Sequence, residues 1–305
     1  MKQKLQEVRF LFVRSLQLDR RFFDSNVPIR TKEKIHFVLL KYFLTVFQIV
    51  TTFKPGISHV KWQNKLVFSD SRVGGIAGLQ AVWSEHMAVI SKLEPPSKEA
   101  IVLDVGANVG YFSKAISDMF DETKIYSFEP SNLSVDIFMK NCPNFTRELD
   151  FSSLSLWGNP RVVFELALME HDGIYQFIED PQNPALTRVV SMNESLFSDE
   201  AISKVSGVSG KSFLDGIKPP FTIHLLKVDV EGNELKVLRG LGDYLRRVKY
   251  LYIELNSDVW DFSELVSILF DNGLDFRLIN LRSFQLNPSS VFINGDLVLE
   301  LFIRN

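Results

Sequence analysis

The stretch AIVLDVGANVGYFSKAI, from Ala100 to Ile116, constrains the fold more than any other part of the sequence. Ala100 to Val105 is a nearly continuous apolar run, which is typical of a strand buried on both faces of a parallel sheet. From Gly110 onward the apolar residues recur at helical spacing. The glycines between strand and helix allow a tight turn and a close approach of the backbone to a ligand. The stretch therefore predicts a strand, a glycine-rich turn and a helix N-terminus, which is a nucleotide-binding arrangement.

Strands and helices alternate along most of the chain that follows. Further strands are predicted at KIYSFEP, RVVFELAL, IHLLKVDV and KYLYIELN, and two final strands, FRLINLRSF and DLVLELFIR, have no helix between them. This order predicts an α/β domain over residues 79–305, with a doubly wound, mostly parallel seven-stranded sheet and an antiparallel edge strand. We expect residues 171–222 to form a hairpin and a loop near the site, with DPQNPALTRVV exposed.

Residues 1–78 are predicted to form a basic N-terminal extension of two helices and a short hairpin, HVKWQNKLVFS. Residues 1–60 contain eleven Lys and Arg and four Asp and Glu, a balance of +7. The whole chain has a net charge of −3, so residues 61–305 carry −10. This acidic part repels a phosphate backbone, and nucleic acid is therefore not expected as a partner.

The apolar segment IHFVLLKYFLTVFQIV has 16 residues, which is short for a membrane span, and it contains Lys41. The sequence shows no signal-peptide pattern and has a single cysteine, so we expect a cytoplasmic protein. Two interpretations of residues 1–54 are open. They contact an anionic membrane peripherally at its inner face, or their apolar faces pack on the core or on a second copy in a homo-oligomer.

Acidic residues at the ends of the first two strands suit a particular ligand. The turn has the pattern D-x-G-x-N-x-G, formed by Asp104, Gly106, Asn108 and Gly110, and Glu129 ends the second strand. Carboxylates accept hydrogen bonds from ammonium and hydroxyl groups and repel phosphates. The pattern therefore favours S-adenosylmethionine, which presents an amino acid moiety and a ribose, over a dinucleotide, whose G-x-G-x-x-G fingerprint is missing.

A second set of polar residues, Lys227, Asp229 and Glu231, lies at strand period at the carboxyl end of the fourth strand. A lysine in an apolar strand needs a partner, and Asp229 or Glu254 on the neighbouring strand can provide it. Asp229 is interpreted as a base or positioning group for an acceptor hydroxyl, with Glu231 assisting. In the structural alternative, both acids cap the helix that begins near Asn233. Clustered carboxylates suit magnesium or calcium, which leaves metal assistance open, but no histidine pairs with them, so no essential metal is expected.

Four stretches, VLDVGANVGYFS, YSFEPS, LLKVDVEGNELKVLRGL and LYIELN, resemble the FkbM family of S-adenosylmethionine-dependent methyltransferases. The resemblance covers residues 80–256, and the K-x-D-x-E-G pattern is its most specific part. It implies a class I, Rossmann-like methyltransferase sheet and methyl transfer, usually to a hydroxyl of a sugar, polyketide or similar small molecule or glycan. ALMEHDG, from Ala167 to Gly173, resembles the family's segment beside the adenine.

These patterns together predict an S-adenosylmethionine-dependent O-methyltransferase. The alternative is a non-catalytic protein that binds the cofactor, or a scaffold, and that acts through its N-terminal segment. The predicted catalytic residues are Lys227, Asp229 and Glu231. The predicted cofactor-binding residues are Asp104, Gly106, Asn108, Gly110, Glu129, Pro130, Ala167 and Leu168.

Overall fold

The structure is a computed structural model, and the chain in it forms two compact units, residues 1–94 and 95–305. It describes residues 15–16, 19–24, 31–51, 57–62, 65–70, 76–150, 160–179, 188–190, 201–217, 222–255, 262–282, 285–287, 290–292 and 295–304. The division between the units lies later in the chain than the predicted boundary between residues 78 and 79. The helical segment that begins at Ile76 therefore belongs to the first unit.

The first unit contains the predicted hairpin and the second of the two predicted helices. Its elements are α1 (Thr31–Thr51), β1 (Ile57–Trp62), β2 (Lys65–Asp70), α2 (Ile76–Ala81), a π-helical turn (Val82–His86) and α3 (Met87–Ile90). Of the first predicted helix, residues 15–16 and 19–24 are helical, and the rest lies outside the described residues. Within the described ranges, none of the helices has the length and apolar character needed to cross a bilayer.

The second unit opens with the alternation that the sequence predicts. Its first elements are β3 (Ile101–Val105), α4 (Tyr111–Met119), β4 (Lys124–Phe128), α5 (Asn132–Asn141), β5 (Thr146–Glu148), β6 (Arg161–Phe164) and β7 (Ala167–Met169). It continues with β8 (Gly173–Glu179), β9 (Arg188–Val190), β10 (Ala201–Ser209), α6 (Gly210–Ile217), β11 (Ile223–Val228) and α7 (Glu234–Leu241). A 3-10 turn (Gly242–Arg247), β12 (Val248–Leu255), α8 (Phe262–Asp271), β13 (Leu274–Arg282), β14 (Gln285–Asn287), β15 (Ser290–Phe292) and β16 (Gly295–Ile303) complete it.

The main sheet has the strand order β13-β16-β12-β11-β3-β4-β6-β5, and it confirms the predicted class I, Rossmann-like α/β fold. Two details differ from the prediction. Among the described residues the sheet has eight strands, because the three-residue strand β5 is added beside β6. The antiparallel strand β16 lies between β12 and β13 instead of at the edge. A strand in this position hydrogen-bonds on both sides, which leaves fewer unpaired backbone groups than an edge strand would.

A second sheet, with the order β7-β10-β8-β9, occupies the region where a hairpin and a loop are predicted. The predicted strand RVVFELAL is divided: β6 belongs to the main sheet and β7 to the second one. Val189 and Val190 were predicted to be exposed but are buried, because β9 pairs with β8. Gly240 in α7 approaches β7 so closely that a Cβ atom there would lie 2.0 Å from the carbonyl oxygen of Met169.

Candidate active site

The turn after β3 has no room for a side chain at Gly106 or Gly110. Gly106, Asn108 and Gly110 all have positive φ angles, of 77°, 48° and 82°. A Cβ atom at Gly106 would lie 1.8 Å from the carbonyl oxygen of Asp229, and one at Gly110 would lie 2.6 Å from the Phe138 ring. Gly106 therefore permits the close contact between the turn and the loop after β11, and Gly110 permits the contact between the turn and α5.

The buried side chain of Asp104 stabilises this turn through a hydrogen bond. Its side chain is fully buried, and its Oδ2 atom accepts a hydrogen bond of 2.5 Å from Ser113 in the first turn of α4. Ser113 also lies 2.7 Å from the hydroxyl of Ser127 in β4. Asp104 thus fixes the start of the helix relative to two strands. Its predicted contact with the amino acid part of the cofactor stays a prediction.

Glu129 lies beside the turn with both of its carboxylate oxygens oriented by backbone donors. The backbone N–H of Asn108 donates to Oε2 at 2.8 Å, and that of Ser131 donates to Oε1 at 2.9 Å. Each oxygen keeps a second lone pair, so the carboxylate can accept hydrogen bonds from two further hydroxyls. Pro130, the next residue, is half-buried. The predicted contact of Glu129 with a ribose stays a prediction.

Ala167 and Leu168 are both buried in β7 and pair with Gly207 and Val208 of β10. Phe164, three residues earlier, accepts a hydrogen bond from the backbone N–H of Glu129 at 3.0 Å. β7 therefore begins close to the carboxyl ends of β4 and β6, and Glu129 directly follows β4. The predicted contact of these two residues with an adenine stays a prediction.

Lys227 connects the turn with the loop after β11. Its Nζ atom donates to the carbonyl oxygen of Gly106 at 2.6 Å. It also lies 3.3 Å from Oδ1 of Asp104 and 3.4 Å from Oδ2 of Asp229. Burial opposes the charge of Lys227, but the two carboxylates outweigh it and raise the pKa of the ammonium group. A lysine held in its charged form orients its neighbours and does not act as a base.

Asp229 contacts a second carboxyl group, that of Glu254, which ends β12. The backbone N–H of Asp229 donates to Val105 at 3.1 Å, which anchors the loop to β3. The side chains of Asp229 and Glu254 are hydrogen-bonded, and although part of Glu254 is exposed, the charge of Asp229 and burial raise its pKa well above the usual value. Glu254 is thus protonated more readily than an isolated glutamate, and it can donate that hydrogen bond.

The partner of Lys227 is Asp229, with Asp104, whereas Glu254 contacts Asp229. The sequence predicts Glu254 as a possible partner of Lys227, and Glu254 is not among the predicted site residues. Its position at the carboxyl end of the strand next to β11 was the signal that could have identified it.

Glu231 adopts a backbone conformation that is rare outside glycine, with φ = 53°. Burial, followed by the charge of Asp229, raises the pKa of its carboxyl group to about 8. At the helix start, Glu234 accepts the backbone N–H groups of Gly232 at 2.9 Å and Val230 at 3.3 Å. Glu234 therefore fixes the loop between β11 and α7, which carries Asp229 and Glu231, and the helix-capping alternative for these two acids stays a prediction.

The carboxyl end of β11 and β12 thus collects Asp229, Glu231, Glu254 and, opposite Glu254 in the register of β16, the buried Asp296. Among the residues that the structure describes, no three or more His, Cys, Asp or Glu side chains are arranged to hold a metal ion. The group forms hydrogen bonds and an ion pair instead, in direct contact with the glycine turn.

We expect the strain at Glu231 to appear in the stability of a Glu231→Gly variant. Glycine adopts positive φ without steric cost, so the free energy of unfolding should rise by about 1 kcal/mol while turnover falls about tenfold. Glu231→Ala is the matched control, because it removes the carboxyl group and keeps the strain. Equal stabilities of the two variants in urea unfolding would contradict this account.

The stability of the protein should also depend on pH through Glu231. Its pKa is raised to about 8 from 4.5, so the folded state binds the proton more tightly than the unfolded state does. The contribution of this group to stability is therefore present below pH 4.5 and is lost as the pH rises to 8. The free energy of unfolding of the wild type, measured in urea, should fall more over this pH range than that of Glu231→Gly.

Comparison with known proteins places these residues in a family. The model of the methyltransferase FkbM domain matches residues 104–278. The chain is 25% identical over 192 residues to Methyltransferase 1 of Beauveria bassiana, covering 59% of this chain and 74% of that protein. It is 23% identical over 193 residues to the hexuronic acid methyltransferase AglP of Haloferax volcanii, covering 62% and 70%. A solved structure of methyltransferase FkbM from Methylobacillus flagellatus is 12% identical with a TM-score of 0.40, over 75% of this chain and 56% of that one.

Proposed function

The chain belongs to the FkbM family of methyltransferases, with S-adenosylmethionine as its cofactor, and from this premise we propose that it methylates a hydroxyl oxygen of a saccharide or a related polar small molecule. The observation that carries the proposal is the contact of Asp229 with both Lys227 and Glu254 at the edge of the glycine turn. A hydroxyl acceptor must lose a proton, and we assign the acceptance of that proton to this carboxylate.

The residues around the turn fit the cofactor. Gly106 and Gly110, both at positive φ, hold the turn in a tight conformation against the Asp229 carbonyl and the Phe138 ring, and Glu129 presents two oriented acceptor oxygens. When bound, S-adenosylmethionine supplies a methyl group on a positively charged sulfur. Asp104, Gly106, Asn108 and Gly110 would hold its amino acid part, and Glu129 its ribose.

The chain's own contribution to the reaction is to orient groups and to accept a proton. Lys227 fixes one oxygen of Asp229 and at the same time holds the carbonyl of Gly106, so the base and the cofactor turn have a fixed separation. Glu254 donates a hydrogen bond to Asp229 from the neighbouring strand. In this arrangement, Asp229 accepts the proton of the acceptor hydroxyl, and Glu231 lines the same loop.

The name of one relative supports a saccharide acceptor, because AglP is described as a hexuronic acid methyltransferase. The test is an incubation of the protein with deuterated S-adenosylmethionine and a panel of monosaccharides, glycans and hydroxylated polyketides. Mass spectrometry should detect a trideuteromethyl group on a hydroxyl of at least one saccharide. Methylation confined to nitrogen or carbon atoms would contradict the proposal.

Glu129→Gln should weaken the binding of S-adenosylmethionine about tenfold or more. The glutamine NH2 group would face the backbone N–H of either Asn108 or Ser131, where the wild type has only acceptors. Calorimetric titration measures the affinity, with the exposed Glu122 in Glu122→Gln as the control for the same substitution.

The affinity for S-adenosylmethionine should also change with pH. Burial raises the pKa of Glu129 to about 7, so the carboxylate that accepts two ribose hydroxyls forms as the pH rises through 7. Binding to the wild type should therefore become tighter over this range, and Glu129→Gln should lose that dependence. An affinity that is the same in both proteins at every pH would exclude Glu129 as the ribose ligand.

A further inference from the structure

The side chains of α1 have an unusual distribution. Lys34 and Lys41 are only 6% and 5% exposed, whereas Ile35 and Leu39 are 47% and 64% exposed. Phe43, four residues further, is 64% exposed. Residues four apart lie on one face of a helix, so these three apolar side chains form a row about 12 Å long. We call Ile35, Leu39 and Phe43 the apolar row.

The buried lysines determine which face of α1 points outward. Lys41 forms a salt bridge with Asp19 and donates to Oε1 of Gln80 at 3.1 Å. Lys34 donates to the carbonyl oxygen of Phe23 at 3.2 Å. Rotating the helix to bury the apolar row would leave Asp19 as a buried, uncompensated charge, which is strongly destabilising. The buried contacts of Lys34 and Lys41 therefore keep the apolar row exposed.

The charge of the first unit identifies a partner for the apolar row. Residues 1–60 carry +7, and Lys32, which lies three positions before Ile35 on the same face of α1, is exposed. A second copy of the chain that packs with the same face would bring the same positive charge against it, which opposes that association. An anionic bilayer provides negative charge together with an apolar interior for side chains at its surface.

We propose that the apolar row of α1, with the basic residues around it, docks on an anionic membrane surface. The helix lies in the plane of the interface with Ile35, Leu39 and Phe43 toward the acyl chains, and the lysines that face inward hold it in that orientation. The interaction goes beyond methyl transfer, because it places the enzyme at a surface, and it requires no residue of the second unit.

Flotation of the full-length protein with phosphatidylcholine vesicles, with and without phosphatidylserine, tests the proposal. We expect binding to the anionic vesicles at low salt, weaker binding at high salt, and about a tenfold loss in Leu39→Glu. The matched control is Leu66→Glu, since Leu66 is 52% exposed on β2 of the same unit. Lys32→Glu should weaken binding roughly fivefold or more, whereas Lys98→Glu, at an 83% exposed side chain of the second unit, should not.

The outcomes separate membrane docking from the other roles of this face. Absence of flotation, equal binding to neutral and anionic vesicles, or equal binding of Leu39→Glu and Leu66→Glu would overturn the proposal. A halved mass of Leu39→Glu in light scattering would also overturn it, in favour of a second copy on this face. Circular dichroism and thermal unfolding show that each variant is folded, independently of any acceptor.

Discussion

Asp229→Asn is expected to lower turnover about a hundredfold or more and to leave the affinity for S-adenosylmethionine within a few-fold of the wild type. Asparagine has nearly the same shape as aspartate, so its amide oxygen can still face Lys227 while its NH2 group donates to Glu254, which then acts as the acceptor, but it cannot accept the proton of a hydroxyl. The effect should therefore fall on kcat and not on the dissociation constant of the cofactor.

Asp243→Asn, at an exposed position of the 3-10 turn, makes the same substitution away from the site and serves as the control. Thermal unfolding of both variants establishes that they are folded. A variant that retains more than about a third of wild-type turnover would show that Asp229 is not the base, given the usual size of a general-base contribution.

Gly106→Ala is expected to destabilise the second unit by about 2–4 kcal/mol and to abolish detectable binding of S-adenosylmethionine. A Cβ atom at this position would lie 1.8 Å from the carbonyl oxygen of Asp229, and φ is 77°. The loop cannot simply move away, because the backbone N–H of Asp229 is hydrogen-bonded to Val105 at 3.1 Å. The turn must then change its conformation, and with it the position of the Gly106 carbonyl that Lys227 holds.

Gly173→Ala is the matched control, because a Cβ atom there would meet only the Tyr175 ring at an ordinary 3.9 Å. Urea unfolding and calorimetric titration provide the two readouts. Wild-type affinity in Gly106→Ala would mean that the close approach of the turn to the Asp229 loop is not needed for the cofactor.

The sequence predicts the main features of the site because each one depends on residues close together in the chain. A buried strand followed by a glycine turn indicates a ligand site without reference to the rest of the fold. The spacing of Lys227 and Asp229 likewise places both on one face of a strand. Their ion pair in the structure follows from the two-residue period alone.

Features that depend on distant pairing could not be predicted in the same way. Ala167 and Gly207 are neighbours in the second sheet although 40 positions separate them in the chain, and β7 has only three residues. A segment that short carries no recognisable period, so RVVFELAL was predicted as one strand. The contact of Glu254 with Asp229 likewise depends on the register between β11 and β12, which neither strand specifies by itself.

The close approach of Gly240 to Met169 limits how the second sheet can be re-engineered. Since the two backbones touch with no side chain between them, the second sheet and the helix that follows Glu231 can be exchanged only as a matched pair. A chimera that receives the segment between β7 and α6 from a relative should fold only if its own helix after the K-x-D-x-E-G pattern keeps glycine at this position. Laboratory recombination within the family should therefore preserve the pairing of these two segments more strictly than the identity of the side chains around the acceptor.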